Sequence, residues 1–418
     1  MSIKQKTYDL LRLSERYFKT DMLYAVVSGF WTSFGQAISL ALVFASAVVF
    51  AAYLPREVYG NYKFILSAVS ILGALSLAGM GTAVIQAVAA GKEGVLRDAV
   101  RTSLRWGVFP WAVALVMALY YFFVENIGLG IALIIAGTCM PLINAYSLSN
   151  SLFSGRKDFK RSTVFAMSSQ IGTTLLLIVT AIFIHDAVVL VAVNFISSAI
   201  FASLFYFYII RKYQPNNVTD PDMISYGKHV SYMNFFGTLA NQLDKVLVFH
   251  FLGAAELAIY AFAIAIPEQV KGSYKNLFNI ALPKMSSADP SLLRASVLDK
   301  VFRLTAVTIL GVAVYYFAAP YIYAIFFPKY LDAVWYSQVY MLGLATVPGI
   351  ALFSSYFQVK RDTVTLYKLT VLSNIVTIFL SVVLIYSYGL AGAVVENGVS
   401  WVVMLLINVY FFVKSGRV

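Results

Sequence analysis

Long apolar runs alternate with short clusters of charged residues from about residue 30 to the end of the chain. A transmembrane helix needs about 20 mostly apolar residues to cross roughly 30 Å of hydrocarbon. The runs between the charges therefore predict an all-α integral membrane protein with twelve transmembrane helices. The predicted spans are residues 30–53, 62–85, 104–124, 127–150, 163–184, 188–210, 230–252, 256–282, 300–326, 333–357, 364–386 and 389–413.

The composition of the 418 residues supports a membrane protein, with 60% hydrophobic and 12% charged residues and a mean hydropathy of +0.79. A soluble domain has about 45–50% apolar and about 25% charged residues. These values exclude a soluble enzyme, a disordered chain and a disulfide-stapled secreted protein. The single cysteine, Cys139, cannot form a disulfide within the chain, and no Cys/His spacing indicates a metal site. We expect no cofactor.

The net charge of +12 is distributed unevenly between the two predicted sides of the membrane. With the N-terminus in the cytoplasm, 25 of the 31 Lys and Arg residues are cytoplasmic, three are outside and three lie inside spans. Cytoplasmic loops carry such an excess of basic residues. Both termini are therefore predicted to be cytoplasmic. The same distribution accounts for the basic charge without a nucleic-acid partner.

Four segments are predicted along the chain. Residues 1–29 have dispersed charges and one apolar side, which favours a cytoplasmic or interfacial helix over a signal peptide. Residues 30–210 form an N-terminal six-helix lobe, and residues 229–418 form a C-terminal six-helix lobe. The connection at 211–228 is rich in turn-forming residues, which indicates a cytoplasmic linker.

The two halves begin alike. Residues 54–62 and 252–260 each contain a leucine, a turn former, a glutamate at a helix start and a tyrosine. One interpretation is that any tight transmembrane hairpin has this form. The favoured interpretation is a parallel duplication, in which two six-helix lobes surround a central cavity. Repeated halves with a substrate site between them are typical of alternating-access carriers.

The same stretches carry a resemblance to a known family. Residues 54–60, 76–84 and 86–89 resemble the opening of Wzx-like oligosaccharide flippases, and residues 241–245 ahead of 251–253 resemble the start of their second half. These polysaccharide biosynthesis and export proteins belong to the multidrug/oligosaccharidyl-lipid/polysaccharide exporter superfamily. The resemblance implies flipping of an undecaprenyl-diphosphate-linked oligosaccharide to the outer leaflet by alternating access, in a bacterial or archaeal cytoplasmic (inner) membrane. The cargo would be an O-antigen, capsule or exopolysaccharide repeat unit. A glycan polymerase is a candidate partner.

Ionisable residues inside the spans indicate function, because a charge at the bilayer centre costs about 2.5–3.5 kcal/mol on insertion scales. The interiors of spans 1 to 6 hold none, whereas spans 7, 8 and 12 hold several. The candidates for binding diphosphate and glycan are Asn241, Lys245, Lys271 and Lys275. The candidates for ion coupling or charge pairing are Asp244, His250, Glu268 and Glu396.

Each group of candidates leaves alternatives. Glu268, Lys271 and Lys275 share one helix face, and they form either a self-neutralising pair plus an interfacial lysine or a positive site for the diphosphate. Glu396 is either part of a cation site, for H⁺ or Na⁺, or a buried acid kept neutral. His250 is either a proton sensor or a structural interfacial group. Asp244 and its neighbour on the chain point about 100° apart on a helix, so we expect only one of them to face the cavity.

Two other functions compete with a flippase. A cation-coupled multidrug exporter of the same superfamily would need acidic residues for cationic cargo, and the expected positive excess argues against it. A membrane glycan polymerase or glycosyltransferase would need a sizeable outer loop, and the predicted outer loops are very short. No nucleophile–base pattern or phosphate-binding glycine loop is found in the sequence, so we expect a transporter and not an enzyme.

The charge asymmetry makes the topology testable by cysteine labelling. Cysteines introduced at Asn126 and Gly389 should react with an impermeant maleimide added outside intact cells, because Asn126 lies in a predicted outer loop and Gly389 is the first residue after another. A cysteine at Asp158 should react only after permeabilisation. Labelling of Asp158 in intact cells would overturn the orientation.

Overall fold

The computed structural model describes residues 22–286, 290–360 and 362–415, with side-chain surroundings given for 29–274 and 297–415 apart from 361. Most of the interfacial helix predicted at residues 1–29 therefore lies outside the described residues. Within them the chain is helical, and no β-strand occurs. The all-α fold class is confirmed.

Fifteen α-helices occur among the described residues. They are α1 (Met22–Tyr53), α2 (Arg56–Ala74), α3 (Met80–Ala89), α4 (Val95–Trp106), α5 (Val108–Phe123), α6 (Ile127–Ser147), α7 (Ser149–Gly155), α8 (Phe159–Phe183), α9 (Ala187–Tyr213), α10 (Pro221–Leu252), α11 (Ala254–Ser286), α12 (Pro290–Phe326), α13 (Ala333–Gly343), α14 (Val347–Val359) and α15 (Thr363–Lys414). Short 3₁₀ turns at Pro328–Tyr330 and Leu344–Thr346 flank α13.

Helix occupies every predicted span. In the part of the chain that the structure describes, eight helical stretches are long and apolar enough to cross a membrane, so the chain is a multi-pass membrane protein. Helices α2, α3, α10 and α11 are not among the eight, and α15 is counted once although two spans were predicted within it. The number of twelve crossings stays a prediction.

The two last predicted spans meet inside α15. Gly389 has φ 59° and ψ −134°, a conformation outside the helical region. A Cβ placed on Gly392 would overlap the carbonyl oxygen of Leu384, eight residues earlier. Such an approach is impossible along a straight helix, which rises about 12 Å over eight residues. The chain therefore reverses at Gly389, and α15 consists of two antiparallel arms. A cysteine at Gly389 would be strained, so Ser387 is the better labelling position.

The second predicted span is broken between α2 and α3. Residues 75–79 form turns, and Leu77 has φ 63°. The backbone N–H of Gly79 donates a hydrogen bond to Ser231 Oγ over 2.8 Å. A Cβ on Gly79 would lie 2.6 Å from the backbone nitrogen of Ser231. Non-helical backbone at membrane depth persists only where other groups satisfy it, and Ser231 of α10 does so here.

The described residues form two compact units. Unit 1 contains residues 22–47 and Leu72–Phe235, and unit 2 contains Val48–Ile71 and residues 236–415. The hairpin that joins α1 to α2 thus belongs to unit 2, although it lies in the first half of the chain. The division of the chain at 211–228 into two duplicated six-helix lobes stays a prediction.

Unit 1 is held together by apolar packing of α3, α4 and α7 around the ends of α6 and α9. The fully or nearly fully buried side chains of this core include Met80, Val84, Leu96, Ala99, Leu152 and Phe153. In unit 1, α6 packs along α5 and α9, and α9 packs along α8.

The linker between the halves is fixed to unit 1. Glu93, in the loop after α3, accepts two hydrogen bonds of 2.7 Å from the guanidinium of Arg156. This interaction lowers the pKa of Glu93. The same carboxylate accepts the backbone N–H of Asn216, and Lys92 forms an ion pair with Asp220 over 2.7 Å. The linker is therefore ordered by charged contacts, although its composition is typical of a loop.

The hairpin of residues 48–71 is anchored within unit 2 by charges and aromatic rings. Arg56 donates to the carboxylate of Asp332 over 2.6 and 3.2 Å, and Lys329 donates to the backbone oxygen of Ala52. The ring of Tyr59 stacks on Phe262 with centroids 4.7 Å apart. These contacts fix the start of α2 against the elements around α11 and α12.

Gly60 is required where α2 crosses the start of α11. A Cβ on Gly60 would overlap the backbone carbonyl of Ala254, which cannot rotate away. We expect Gly60→Ala to destabilise the protein by about 1–3 kcal/mol, the usual cost of overpacking, seen as a lower thermal unfolding midpoint in detergent.

Gly311 of α12 provides the matched control, because a Cβ there meets no atom within 4 Å. Gly311→Ala should leave the midpoint unchanged or raise it slightly, since alanine is the better helix former. Equal midpoints for Gly60→Ala and the wild type would show that the crossing is looser than the structure has it.

Candidate functional site

Unit 2 contains a cavity of about 730 Å³ lined by α10, α11, α14 and both arms of α15. Its charged lining residues are Asp244, Lys245, Glu268, Lys271 and Glu396. Its neutral polar lining residues are Asn241, Gln242, Ser354, Ser355, Gln358, Ser373, Asn374, Thr377, Asn397 and Ser400. Six of the eight predicted site residues thus line one cavity. The pattern of helices in the sequence does not predict that they meet.

The first charged group of the cavity is centred on Asp244 of α10. The hydroxyl of Tyr260 donates to Asp244 Oδ2 over 2.6 Å, and Lys245 Nζ donates to Oδ1 over 3.2 Å. Asn397 Nδ2 in turn donates to the Tyr260 hydroxyl over 3.2 Å. The buried carboxylate is therefore held by a cation on its own helix and by a phenol from α11.

The prediction that only one of Asp244 and Lys245 faces the cavity is wrong. Both line it, and they form an ion pair. The prediction considered only the directions in which adjacent Cβ atoms point. The long lysine stem can fold back, so that Nζ also reaches the backbone oxygen of Asn241 over 3.1 Å.

The second charged group joins Glu268 and Lys271 of α11. Lys271 Nζ donates to Glu268 Oε1 over 2.9 Å, and the hydroxyl of Tyr340 donates to the same oxygen. The ammonium also lies over the ring of Trp401, 4.9 Å from its centroid. A cation over an indole face is attracted by the ring quadrupole. Lys271 therefore has both a carboxylate and an aromatic partner.

Glu396 is the most buried acid of the cavity, with 1% of its surface exposed. Ser400, one helical turn further along α15, donates to Glu396 Oε1 over 2.8 Å. No lysine or arginine among the described residues forms an ion pair with Glu396. An acid in this position can accept or release a proton, or contribute to binding a cation.

The charge balance of the cavity differs from the expected positive excess. Its described lining holds two lysines and three carboxylates. The expectation relied on Lys275, whose side chain lies outside the described side chains, and it did not place the three acids in the same space. The expected reason for rejecting a cationic cargo therefore loses its support in this cavity.

One further predicted residue lies apart from the site. His250 is exposed near the end of α10 and makes an edge contact with Phe251, with centroids 5.1 Å apart. It is not among the residues that line the cavity. The structure therefore does not bring this histidine together with Asp244 and Glu396.

Sequence reasoning missed Tyr260, Tyr340, Trp401 and Lys63. The two tyrosines could not be selected from 28, and no pattern in the sequence sets Trp401 apart from the other tryptophans. Lys63 is one of the three basic residues counted as outside, but it lies seven residues into α2, with Nζ 5.3 Å from the ring centroid of Tyr59. It is not among the residues that line the cavity. Its position after the start of a predicted span was the available indication.

The site has no arrangement for a metal cofactor in the described part of the chain, where no group of three or more His, Cys, Asp or Glu side chains could hold one. The site is a polar cavity lined by two lysines, three carboxylates and ten residues with neutral amide or hydroxyl groups. Such groups can exchange hydrogen bonds with a polar solute.

The described chain is an all-helical, multi-pass membrane protein with a polar, charged cavity. The family model described as polysaccharide biosynthesis protein matches residues 26–289, and the chain belongs to this family. No curated protein matches the sequence.

Solved structures show which fold the chain has. The lipid II flippase MurJ in an inward closed conformation is 14% identical, with a TM-score of 0.71 over 92% of this chain and 87% of MurJ. An inward-facing multidrug resistance MATE family transporter of the MOP superfamily is 15% identical, with a TM-score of 0.67 over 90% and 96%. A MOP superfamily transporter from Pyrococcus furiosus, described with a binding pocket of reverse polarity, is 16% identical, with a TM-score of 0.60 over 93% and 95%. The chain has the fold of these flippases and transporters.

The ion pair of α11 can be tested through stability. Lys271→Met leaves Glu268 without its cation, so we expect a lower thermal unfolding midpoint. The loss should be smaller than the about 3–5 kcal/mol of a fully buried pair, because 39% of the Glu268 side chain is exposed. Glu268→Gln/Lys271→Met should recover most of the midpoint, because both charges are removed and no ion is left without a partner. A double variant no more stable than Lys271→Met would show that the two residues do not stabilise each other.

Proposed function

We propose that the protein is a flippase for an undecaprenyl-diphosphate-linked oligosaccharide, moving an O-antigen, capsule or exopolysaccharide repeat unit from the cytoplasmic to the outer leaflet by alternating access. Membership of the polysaccharide biosynthesis family carries this proposal. The fold shared with a lipid II flippase supports it, because lipid II is also a membrane-anchored cargo.

The lining of the unit 2 cavity suits a glycan. Ten of its residues present neutral amide or hydroxyl groups, which can donate to and accept from sugar hydroxyls. Trp401 adds an indole at the same site. Lys271 and Lys245 supply the cations that a diphosphate would need, and each can exchange its carboxylate partner for a phosphate oxygen.

A coupling cation, H⁺ or Na⁺, fits the acids of the same cavity. Asp244 is buried and Glu396 is almost fully buried, and Ser400 and Asn397 place further oxygen atoms beside them. Hard cations prefer carboxylate, amide and hydroxyl oxygens. In this proposal the acids serve coupling, and the lysines serve the cargo.

The second candidate function is a cation-coupled multidrug exporter. The observation that favours it is the excess of carboxylates over lysines in the cavity, since acids attract cationic cargo. A glycan polymerase remains a candidate partner of the protein rather than its activity.

Complementation tests the proposal directly. Expression in a bacterial strain that lacks its oligosaccharide flippase should restore surface glycan. Lys271→Ala should lower the rate of surface glycan appearance about 10- to 100-fold, because a charge-assisted hydrogen bond of about 1.5–3 kcal/mol is lost. Lys271→Arg should retain part of the activity, and Lys271→Glu should be the least active because it repels the diphosphate.

Lys300, an exposed lysine of α12, supplies the control, and Lys300→Ala should transport like the wild type. All variants are compared at equal amounts in the membrane. Full transport by Glu268→Gln/Lys271→Met would contradict a cargo role for Lys271. Failure to restore glycan, together with resistance to cationic dyes in a drug-sensitive strain, would favour the multidrug exporter instead.

A further inference from the structure

We infer that unit 1 carries a second ligand site, a basic and aromatic patch that binds the phosphate group of a membrane lipid at the membrane interface. The patch consists of Arg101, Arg105 and Trp106 of α4 with Lys228 and Tyr232 of α10, and is called the α4 patch below. It is separate from the cavity of unit 2, and it does not rest on the proposed function.

Helix α4 is amphipathic, with one buried apolar side and with Arg101 and Arg105 exposed. Leu96, Ala99 and Val100 are buried in the core of unit 1. Arg101 and Arg105 are exposed and lie one turn apart, so their Cβ atoms are about 5–6 Å from each other. Two guanidinium groups at this spacing can converge on one phosphate or on a diphosphate.

These two arginines make no hydrogen bond in the described part of the chain, unlike Arg97. Arg97, one turn earlier on the same helix, donates to the side chain of Asn217 and to the backbone oxygen of Pro215. Arg101 and Arg105 form no ion pair or hydrogen bond there, although Asp98 lies only three residues before Arg101. Arg97 is used to hold the linker, whereas the donors of the other two are available to a ligand.

Helix α10 completes the α4 patch from a second direction. Lys228 Nζ lies over the ring of Trp106, 5.7 Å from its centroid. Trp106 meets Tyr232 edge to face, with centroids 6.4 Å apart. Helix α10 thus brings a third cation and a second ring to Trp106, which directly follows Arg105, from more than 120 positions away in the sequence.

The α4 patch lies where the apolar surface begins. Val108 and Phe109, directly after α4, are 62% and 56% exposed, and Met233 beside Tyr232 is 53% exposed. Exposed apolar side chains of a membrane protein face the hydrocarbon, and tryptophan and tyrosine concentrate at its boundary. The arginines therefore lie at the level of lipid headgroups, on the side that the charge asymmetry predicts to be cytoplasmic.

The chemistry selects a phosphate ester. Arginine donates two parallel hydrogen bonds to phosphate oxygens and is weakly hydrated, so it suits an interfacial anion. Clusters of basic residues beside the membrane bind anionic lipids. The phosphate can come from a bulk anionic phospholipid or from the diphosphate of a polyprenyl-linked cargo, and both present the same group at the same depth.

The test measures lipid binding to the full-length protein in detergent by native mass spectrometry, without transport. The probes are phosphatidylglycerol, zwitterionic phosphatidylcholine and undecaprenyl diphosphate. We expect the wild type to retain phosphatidylglycerol better than phosphatidylcholine, and R101Q/R105Q to bind the anionic lipids about fivefold more weakly for each charge removed. R101K/R105K should keep part of the affinity, because the charge remains and the two-pronged geometry is lost.

The arms of the experiment distinguish the two sources. Equal, arginine-dependent affinity for phosphatidylglycerol and undecaprenyl diphosphate identifies a site for bulk phospholipid. Arginine-dependent affinity that is higher for undecaprenyl diphosphate identifies a site for the cargo headgroup. Both results support the α4 patch, and neither depends on whether the protein complements a flippase strain.

The matched control is K300Q/R303Q. It removes two exposed basic residues of α12 that lie about one helical turn from each other. It should bind every probe like the wild type. Wild-type binding of both anionic lipids by R101Q/R105Q, or an equal loss in the control, would overturn the inference. Unfolding midpoints of all variants show that the substitutions leave the fold intact, as expected for exposed side chains.

Discussion

The cost of an unpaired charge in a low-dielectric environment governs the arrangement of unit 2. An ionised side chain at membrane depth is tolerated when partners replace its lost hydration. Lys271 has Glu268 and Trp401, Lys245 has Asp244 and the backbone of its own helix, and Tyr340 and Tyr260 each donate to a carboxylate. The helices that form the cavity are thus tied by polar contacts as well as by apolar packing.

The sequence predicts those features that depend only on residues close together in the chain. Helical spans follow from the lengths of the apolar runs, and the candidates Asp244, Lys271 and Glu396 follow from charges inside them. The partners could not be predicted, because Tyr340 reaches Glu268 from 72 residues away and one tyrosine among 28 has no distinguishing neighbours in sequence. The pairing of Lys245 with Asp244 was misjudged because side-chain flexibility was ignored.

Backbone breaks show the same division between local and distant causes. Twenty-five glycines are visible in the sequence, yet only packing distinguishes Gly79, which approaches Ser231, from Gly311, which meets nothing. The reversal at Gly389 lies one residue past the predicted loop of Ser387 and Tyr388, at the first residue of the last predicted span. The break at residues 75–79 was missed, since the apolar run continues through it and the compensating hydrogen bond comes from α10.

Internal pairing also has a consequence for the transport that we propose. A lysine without a partner at membrane depth would bind a diphosphate very tightly, and a carrier must release its cargo. Because Lys271 already interacts with Glu268 and Trp401, an anionic cargo gains only the difference between its own interaction and the one it replaces. The displaced carboxylate is then left with Tyr340 as its remaining donor and becomes a better proton acceptor or cation ligand. One exchange of partners can therefore link the cargo to the protonation or ion occupancy of the same cavity, so that binding of one changes the affinity for the other by the same factor.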